Sequence, residues 1–196
     1  GTHSPDERLD LRLAFSEGFA NAFSAMVLND PLYSDSLGPQ QSQRFSFSME
    51  SNTASPAGWY NESSIQSLTW DLFDVAADGS DAVSIGYKPM FEALTGPLRA
   101  GPALTSVFPF VDSLKGRAGA PVSAINTLVT SQSIHVADAW GSTETNNGSV
   151  SQALPLSAES APSKTNTSQE PWADTETAYP SGLRSARAPG RGRSER

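Results

Sequence analysis

The stretch 10–28 constrains the fold more than any other part of the sequence, because it lacks proline and is apolar on most sides of a helix. Its apolar positions include Leu11, Leu13, Ala14, Phe15, Phe19, Ala20, Ala22, Phe23, Ala25, Met26 and Val27. A helix that is apolar nearly all round is a buried helix, so we expect this segment to run through a core. The run Asn29, Asp30 and Pro31 predicts the end of the helix at Leu28.

One narrow polar stripe interrupts this predicted helix. Glu17, Asn21 and Ser24 are spaced at i, i+4 and i+7, so they share a helical face. Gly18 lies in the middle of the helix, where glycine costs roughly 1 kcal/mol relative to alanine. The glycine therefore suggests that another backbone approaches the helix closely at this point.

The rest of residues 1–148 reads as mainly α-helical with long loops. Residues 61–76 repeat apolar positions at helical spacing, and Asn61 is a suitable N-cap. Shorter helices are predicted over 90–94 and 122–129, because Pro89 and Pro121 suit first-turn positions. Residues 105–114 are apolar, but Pro109 is expected to disturb a helix there. Weak alternation over 44–49 allows a short strand, and long loops are predicted over 30–58 and 77–86.

Composition narrows the partners that this chain can have. The chain has no cysteine, which excludes disulfides and thiolate metal sites. Its net charge of −8 argues against nucleic acid as a main partner. No stretch approaches the roughly 18 apolar residues that a membrane helix needs, so no membrane partner is expected.

A change of composition near residue 148 predicts a domain boundary. Residues 1–148 carry a net charge of −9, whereas residues 149–196 carry +1 and are dominated by Ser, Thr, Pro, Gly and Ala. Because a segment with so few large apolar residues buries too little to offset its ordering entropy, we predict a disordered, low-complexity tail with an Arg-rich end over 149–196. A shift of reading frame would produce a similar change of character.

Glu17 is the residue that suggests a metal site. A carboxylate in an apolar helix is costly unless it is paired or binds a metal, and glutamate is a ligand in catalytic zinc sites with two His and one Glu. Segment 13–24 (LAFSEGFANAFS) resembles the second zinc helix of thermolysin-like peptidases, the gluzincins. In that family a Glu ligand is followed four residues later by Asp or Asn, and Glu17 and Asn21 occupy those positions. The resemblance covers about residues 1–147.

A second segment carries a weaker part of the resemblance. Residues 58–65 (GWYNESSI) look like the later family segment that places an oxyanion-stabilising side chain, and Tyr60 occupies roughly that position. The resemblance implies a helical gluzincin-like lobe, Zn²⁺ as the cofactor of the complete protein, and Glu17 as a metal ligand. It also implies Asn21 as a residue that orients a ligating imidazole, Tyr60 as a catalytic residue, and peptide or protein substrates. Similarity to bacterial secreted members implies an extracellular or cell-envelope location.

The chain departs from the family at the two-His motif. No His-Glu-x-x-His occurs, and His3 and His135 are the only histidines. We therefore expect this chain alone to hold no catalytic zinc and to cleave no peptide, and we expect the missing helix to be encoded upstream of Gly1. The alternative is a non-catalytic helical interaction module, in which Glu17 belongs to an ordinary solvated stripe.

Two further segments carry weaker indications of binding. Residues 74–81 faintly suggest a calcium loop, but Ala76 stands where an EF-hand needs an oxygen ligand. The polar segment around Trp140 could line a cleft, although its sequence indicates no particular chemistry. His3 and His135 are expected to be a loop residue and a surface residue respectively.

Overall fold

The computed structural model describes residue 3 and residues 7–51, 54–75 and 81–144. Within these residues the chain is mainly helical, as predicted, with one small antiparallel sheet. The elements are α1 (Leu11–Leu28), β1 (Leu32–Leu37), β2 (Gln43–Ser48), α2 (Glu62–Phe73), α3 (Tyr87–Ala93), α4 (Val107–Lys115) and α5 (Val122–Ser131). A π-helical turn, Leu94–Leu98, extends α3. The predicted tail, 149–196, lies outside the described residues.

Helix α1 begins at Leu11, one residue after the predicted start, and ends at Leu28 as predicted. Asp10 caps it, because its carboxylate accepts a hydrogen bond from the backbone N–H of Arg12 at 3.0 Å. Asn29 ends it in the left-handed conformation, with φ 51°. The expectation of burial nearly all round is wrong for the C-terminal part of α1, where Phe23 is 40% exposed and Val27 and Leu28 are 66% and 71% exposed. The apolar content of a helix does not specify which neighbours cover it, and the described elements leave this end uncovered.

Helices α1 and α2 pack closely at Gly18. A Cβ atom on Gly18 would lie 2.6 Å from the backbone oxygen of Glu62 and 2.6 Å from the Cβ of Ile65. Only a residue without a side chain fits at such a contact, which explains the mid-helix glycine. The predicted close approach of a second backbone is thus present, and that backbone is α2.

Helix α2 begins where it was predicted and ends earlier. The Asn61 side chain accepts a hydrogen bond from the N–H of Ser64 at 3.1 Å, which confirms the N-cap. The helix stops at Phe73 because Asp74 is extended, with ψ 175°. Its predicted extension to residue 76 is therefore wrong, since Asp74 and Val75 are not helical. The N–H of Ile85 reaches the carbonyl oxygen of Leu72, close to the end of the helix.

Helix α4 corrects the expectation that Pro109 disturbs a helix in this region. Pro109 is the third residue of α4, within its first turn. The N–H groups of a first turn have no acceptor inside the helix, so a proline there removes no intrahelical hydrogen bond. Pro89 is likewise the third residue of α3, and Pro121 is the N-cap residue of α5. The predicted helices at 90–94 and 122–129 are present with slightly different bounds.

The predicted loop 30–58 contains a β-hairpin. Strand β2 includes most of the weakly alternating segment 44–49, and β1 pairs with it so that Tyr33 faces Phe47. The rings of these two residues are stacked, with centroids 4.9 Å apart. Strand β1 was missed because its sequence, LYSDSL, is largely polar, so its pairing depends on the opposite strand.

The core lies between α1, α2 and α4. Phe110 of α4 contacts both Phe15 and Phe19 of α1, with ring centroids 5.4 and 5.9 Å apart. Large side chains that are fully buried there include Trp59, Phe108, Leu68, Leu72 and Leu114. None of the helices within the described ranges is both long and apolar enough to cross a membrane.

Candidate functional site

Glu17 lies on the polar stripe of α1 and is half-buried. Among the residues that the structure describes, none forms a hydrogen bond or ion pair with its carboxylate. A half-buried carboxylate without a partner gains little from its position, because desolvation disfavours its charge. The other end of the stripe is satisfied locally, since the Ser24 hydroxyl donates to the backbone oxygen of Asn21 at 2.7 Å.

Asn21 links the stripe to α2. Its side-chain nitrogen, Nδ2, donates to Oε1 of Glu62 at 2.7 Å and to Oε1 of Gln66 at 3.1 Å. Both acceptors are buried, with 6% and 5% of their surfaces exposed. Two hydrogen bonds from one nitrogen fix the orientation of the amide. They require an amide here, because an aspartate would place a second carboxylate against Glu62.

The amide of Asn21 keeps one atom available. Both hydrogen bonds use Nδ2, and within the described part of the chain no donor reaches its oxygen, Oδ1. An amide oxygen accepts hydrogen bonds, so Oδ1 can receive the ring N–H of an imidazole. Because Nδ2 is anchored to α2, this acceptor is held in one direction.

Glu62 was not singled out from the sequence, yet it is the centre of the cluster. Its second carboxylate oxygen, Oε2, lies 2.9 Å from Nε2 of His3. Glu62 is the first residue of α2, where an acidic side chain is favoured by the helix dipole, so its sequence context looks ordinary. His3 was expected to be only a loop residue. In the structure it pairs with a buried carboxylate.

Tyr33 of the hairpin lies near the same carboxylates. Burial is the main cause that raises the pKa of its phenol, followed by the charge of Asp35 and a hydrogen bond to it. The charges of Glu62 and Glu17 raise this pKa further. The hydroxyl of Tyr33 donates to Oδ2 of Asp35 at a long 3.4 Å.

Tyr60 has a different environment from Glu17 and Asn21. Its ring is buried, the guanidinium of Arg8 lies 4.7 Å from the ring centroid, and the ring packs edge-to-face with Trp59. The hydroxyl donates to the backbone oxygen of Ala57 at 3.1 Å. The structure thus places Glu17 and Asn21 on one stripe. The Tyr60 hydroxyl, by contrast, is hydrogen-bonded within its own loop.

Within residue 3 and residues 7–51, 54–75 and 81–144, no three His, Asp or Glu side chains form a group that could hold a metal ion. The acidic segment after α2 is only partly described, because residues 76–80 fall outside these ranges. Exposed His135 pairs with Glu144, with ring Nδ1 3.5 Å from the carboxylate, and its exposure agrees with the predicted surface position.

Comparisons with known proteins give no relative. No protein-family model, curated protein or solved structure matches this chain.

Proposed function

We propose that this chain is the C-terminal helical lobe of a gluzincin-like zinc endopeptidase, with Glu17 as the ligand that α1 contributes. The observation that carries the proposal is the contrast on one stripe between Glu17, which has no partner among the described residues, and Asn21, which is anchored. A carboxylate kept half-buried and unpaired is a suitable metal ligand, since a cation would offset its desolvation.

The geometry of Asn21 supports the same proposal. Residues that hydrogen-bond a ligating imidazole fix its ring and raise its basicity. Asn21 offers Oδ1 for this purpose, and its other atom is held by Glu62 and Gln66 of α2. Glu62 in turn contacts His3. This chain of contacts gives the proposed acceptor a rigid support, as a ligand-orienting residue requires.

The ligand set in this chain is incomplete. A site with two His and one Glu needs two imidazoles, and we propose that an upstream His-Glu-x-x-His helix provides them. When bound, zinc would supply Lewis acidity toward a peptide carbonyl. We also propose Tyr60 as the oxyanion donor. In that role its hydroxyl would release the backbone oxygen of Ala57 and donate its hydrogen bond to the substrate instead. Peptide substrates and a location outside the cell belong to the same proposal.

The first test uses the chain as it stands. Isothermal titration with Zn²⁺ and a casein-release assay are expected to show no tight binding and no cleavage, because one carboxylate does not hold catalytic zinc. Stoichiometric binding in the submicromolar range would mean that the ligand set has been misidentified.

The second test joins residues 1–148 to their natural upstream sequence. Glu17→Ala is expected to abolish zinc retention, and Asn21→Ala to weaken it about 10–100-fold. Tyr60→Phe is expected to spare zinc and to reduce turnover by about 10²–10³. Glu92→Ala is the matched control, since Glu92 lies on α3 in exposed ion pairs with Lys88 and Arg117. Full zinc content and activity in the Glu17→Ala protein would contradict the proposal.

A non-catalytic interaction module is the second candidate. The observation that favours it is exposed apolar surface on α1 and α3: Phe23 is 40% exposed, Phe91 is 49% exposed, and each packs against Tyr87. The two candidate functions predict different coding sequences upstream of Gly1. A His-Glu-x-x-His coding sequence there supports the peptidase, and its absence supports the module.

A further inference from the structure

A cavity of about 230 Å³ lies between α4, the π-helical turn and the turn around residue 140. Three prolines form much of its wall: Pro97, Pro102 and Pro109. Pro97 and Pro109 are held in helical turns, so these parts of the wall are rigid. Pockets for drug-sized ligands occupy about 300–1,000 Å³, so this one suits a single side chain or a small amine rather than a cofactor.

Asp112 is the one ionisable residue in the lining of this cavity. It belongs to α4 and is half-buried. In the portion of the chain that the structure describes, no hydrogen bond or ion pair engages its carboxylate. The wall therefore combines apolar surface with one unpaired negative charge, a combination that favours a cation attached to an apolar stem.

Trp140 forms another side of the cavity and is held in position by its turn. The Asp138 carboxylate accepts hydrogen bonds from the N–H of Trp140 at 2.8 Å and the N–H of Ser142 at 3.2 Å. Gly141, with φ +66°, packs so closely that a Cβ atom would lie 2.8 Å from the ring of Phe108. A turn fixed at both ends restrains the backbone that carries the indole, which lowers the ordering cost of binding.

We infer that this cavity binds the side chain of a lysine or arginine residue in a peptide. The aliphatic stem packs against the proline wall, the cation pairs with Asp112, and the Trp140 indole contributes a cation–π contact. An anion is disfavoured by Asp112, and a neutral apolar side chain leaves its charge unpaired. The net charge of −8 favours the approach of basic peptides. None of these steps depends on zinc, so the inference stands apart from the proposed peptidase.

The test follows the indole N–H resonance of Trp140 by NMR in the full chain. The cationic probes are lysine amide and arginine amide, each acetylated on the α-amino group so that the side chain keeps its charge. The neutral analogues made with norleucine and citrulline are the controls. Saturable shifts are expected with the two cationic probes, and binding at least about tenfold weaker with the neutral analogues. That factor corresponds to one charge-assisted hydrogen bond.

Variants separate the two contacts. Asp112→Asn keeps the shape of the side chain and is expected to weaken binding of the cationic probes about tenfold. Trp140→Leu keeps an apolar wall and is expected to weaken it about fivefold, through loss of the cation–π contact. Asp35→Asn on the hairpin changes the net charge equally and is expected to leave binding unchanged. Equal binding of norleucine and lysine amides, equal effects of Asp112→Asn and Asp35→Asn, or no saturable shift with any probe would each overturn the inference.

Discussion

Nδ2 of Asn21 donates a 2.7 Å hydrogen bond to Oε1 of Glu62, across 41 residues of sequence. This bond joins α1 to α2 close to Gly18, where a Cβ atom would lie 2.6 Å from the backbone oxygen of Glu62. It also fixes the amide that stands one helical turn from Glu17. The stability of the helix pair and the geometry of the proposed ligand stripe therefore depend on the same contact.

Asn21→Asp is expected to destabilise the fold by about 1–3 kcal/mol at neutral pH, because it replaces a donor with a second carboxylate beside buried Glu62. The free energy of unfolding from urea titration measures the effect. Asn126→Asp is the control. Asn126 is exposed and accepts from Lys115, so an aspartate there is tolerated. Equal stability of the Asn21→Asp protein and the parent chain would contradict the role of this bond.

Gly18→Ala is expected to destabilise the protein by about 1–3 kcal/mol, despite the roughly 1 kcal/mol that alanine gains in a helix. The added methyl group would lie 2.6 Å from a backbone oxygen of α2, which cannot move without separating the helices. Thermal unfolding measures the difference. Gly96→Ala serves as the matched control, since a Cβ atom there meets nothing within 4 Å. A Gly18→Ala protein as stable as the Gly96→Ala protein would argue against the close contact.

The phenol of Tyr33 is expected to titrate above its ordinary value of 10.0, because burial and then the charge of Asp35 raise its pKa. The folded state holds the proton more tightly than the unfolded state. This contribution to stability is thus complete below pH 10.0 and is lost as the pH rises through the higher folded pKa. Phenolate absorbance compared between the parent and Tyr33→Phe isolates the transition. Asp35→Asn should lower the pH of this phenol transition. A Tyr33 transition at or below the ordinary value would contradict the placement of the hairpin.

Asp138 is expected to titrate below its ordinary value of 3.8. Burial alone would raise its pKa, but hydrogen bonds from the Ser142 hydroxyl and from the N–H groups of Ser142, Trp140 and Gly141 lower it. The stabilisation of the turn is therefore present above pH 3.8 and is lost as the pH falls through the lower folded pKa. Ser142→Ala should raise the pH at which the NMR signal of the Trp140 indole changes. Thr143→Ala, an exposed neighbour, should leave it unchanged, and equal behaviour of the two variants would contradict this account.

The sequence alone predicted what depends on neighbours along the chain. The end of α1 after Leu28 and the N-cap at Asn61 follow from local sequence signals, and the structure contains both. The helical period places Glu17 and Asn21 on one stripe without any knowledge of the fold. Gly18 indicated that a second backbone comes close, because a mid-helix glycine needs such a reason.

Only the tertiary structure decided which residues meet across the chain. Glu62 looked like an ordinary first-turn acid, and its contacts to Asn21 and His3 exist because α2 packs on α1. The same holds for β1, whose polar sequence becomes a strand by pairing with β2, and for the cavity that joins Asp112 to Trp140. Local patterns fix neighbours three or four residues apart. Contacts between distant residues depend on how whole elements pack, and no single segment encodes that.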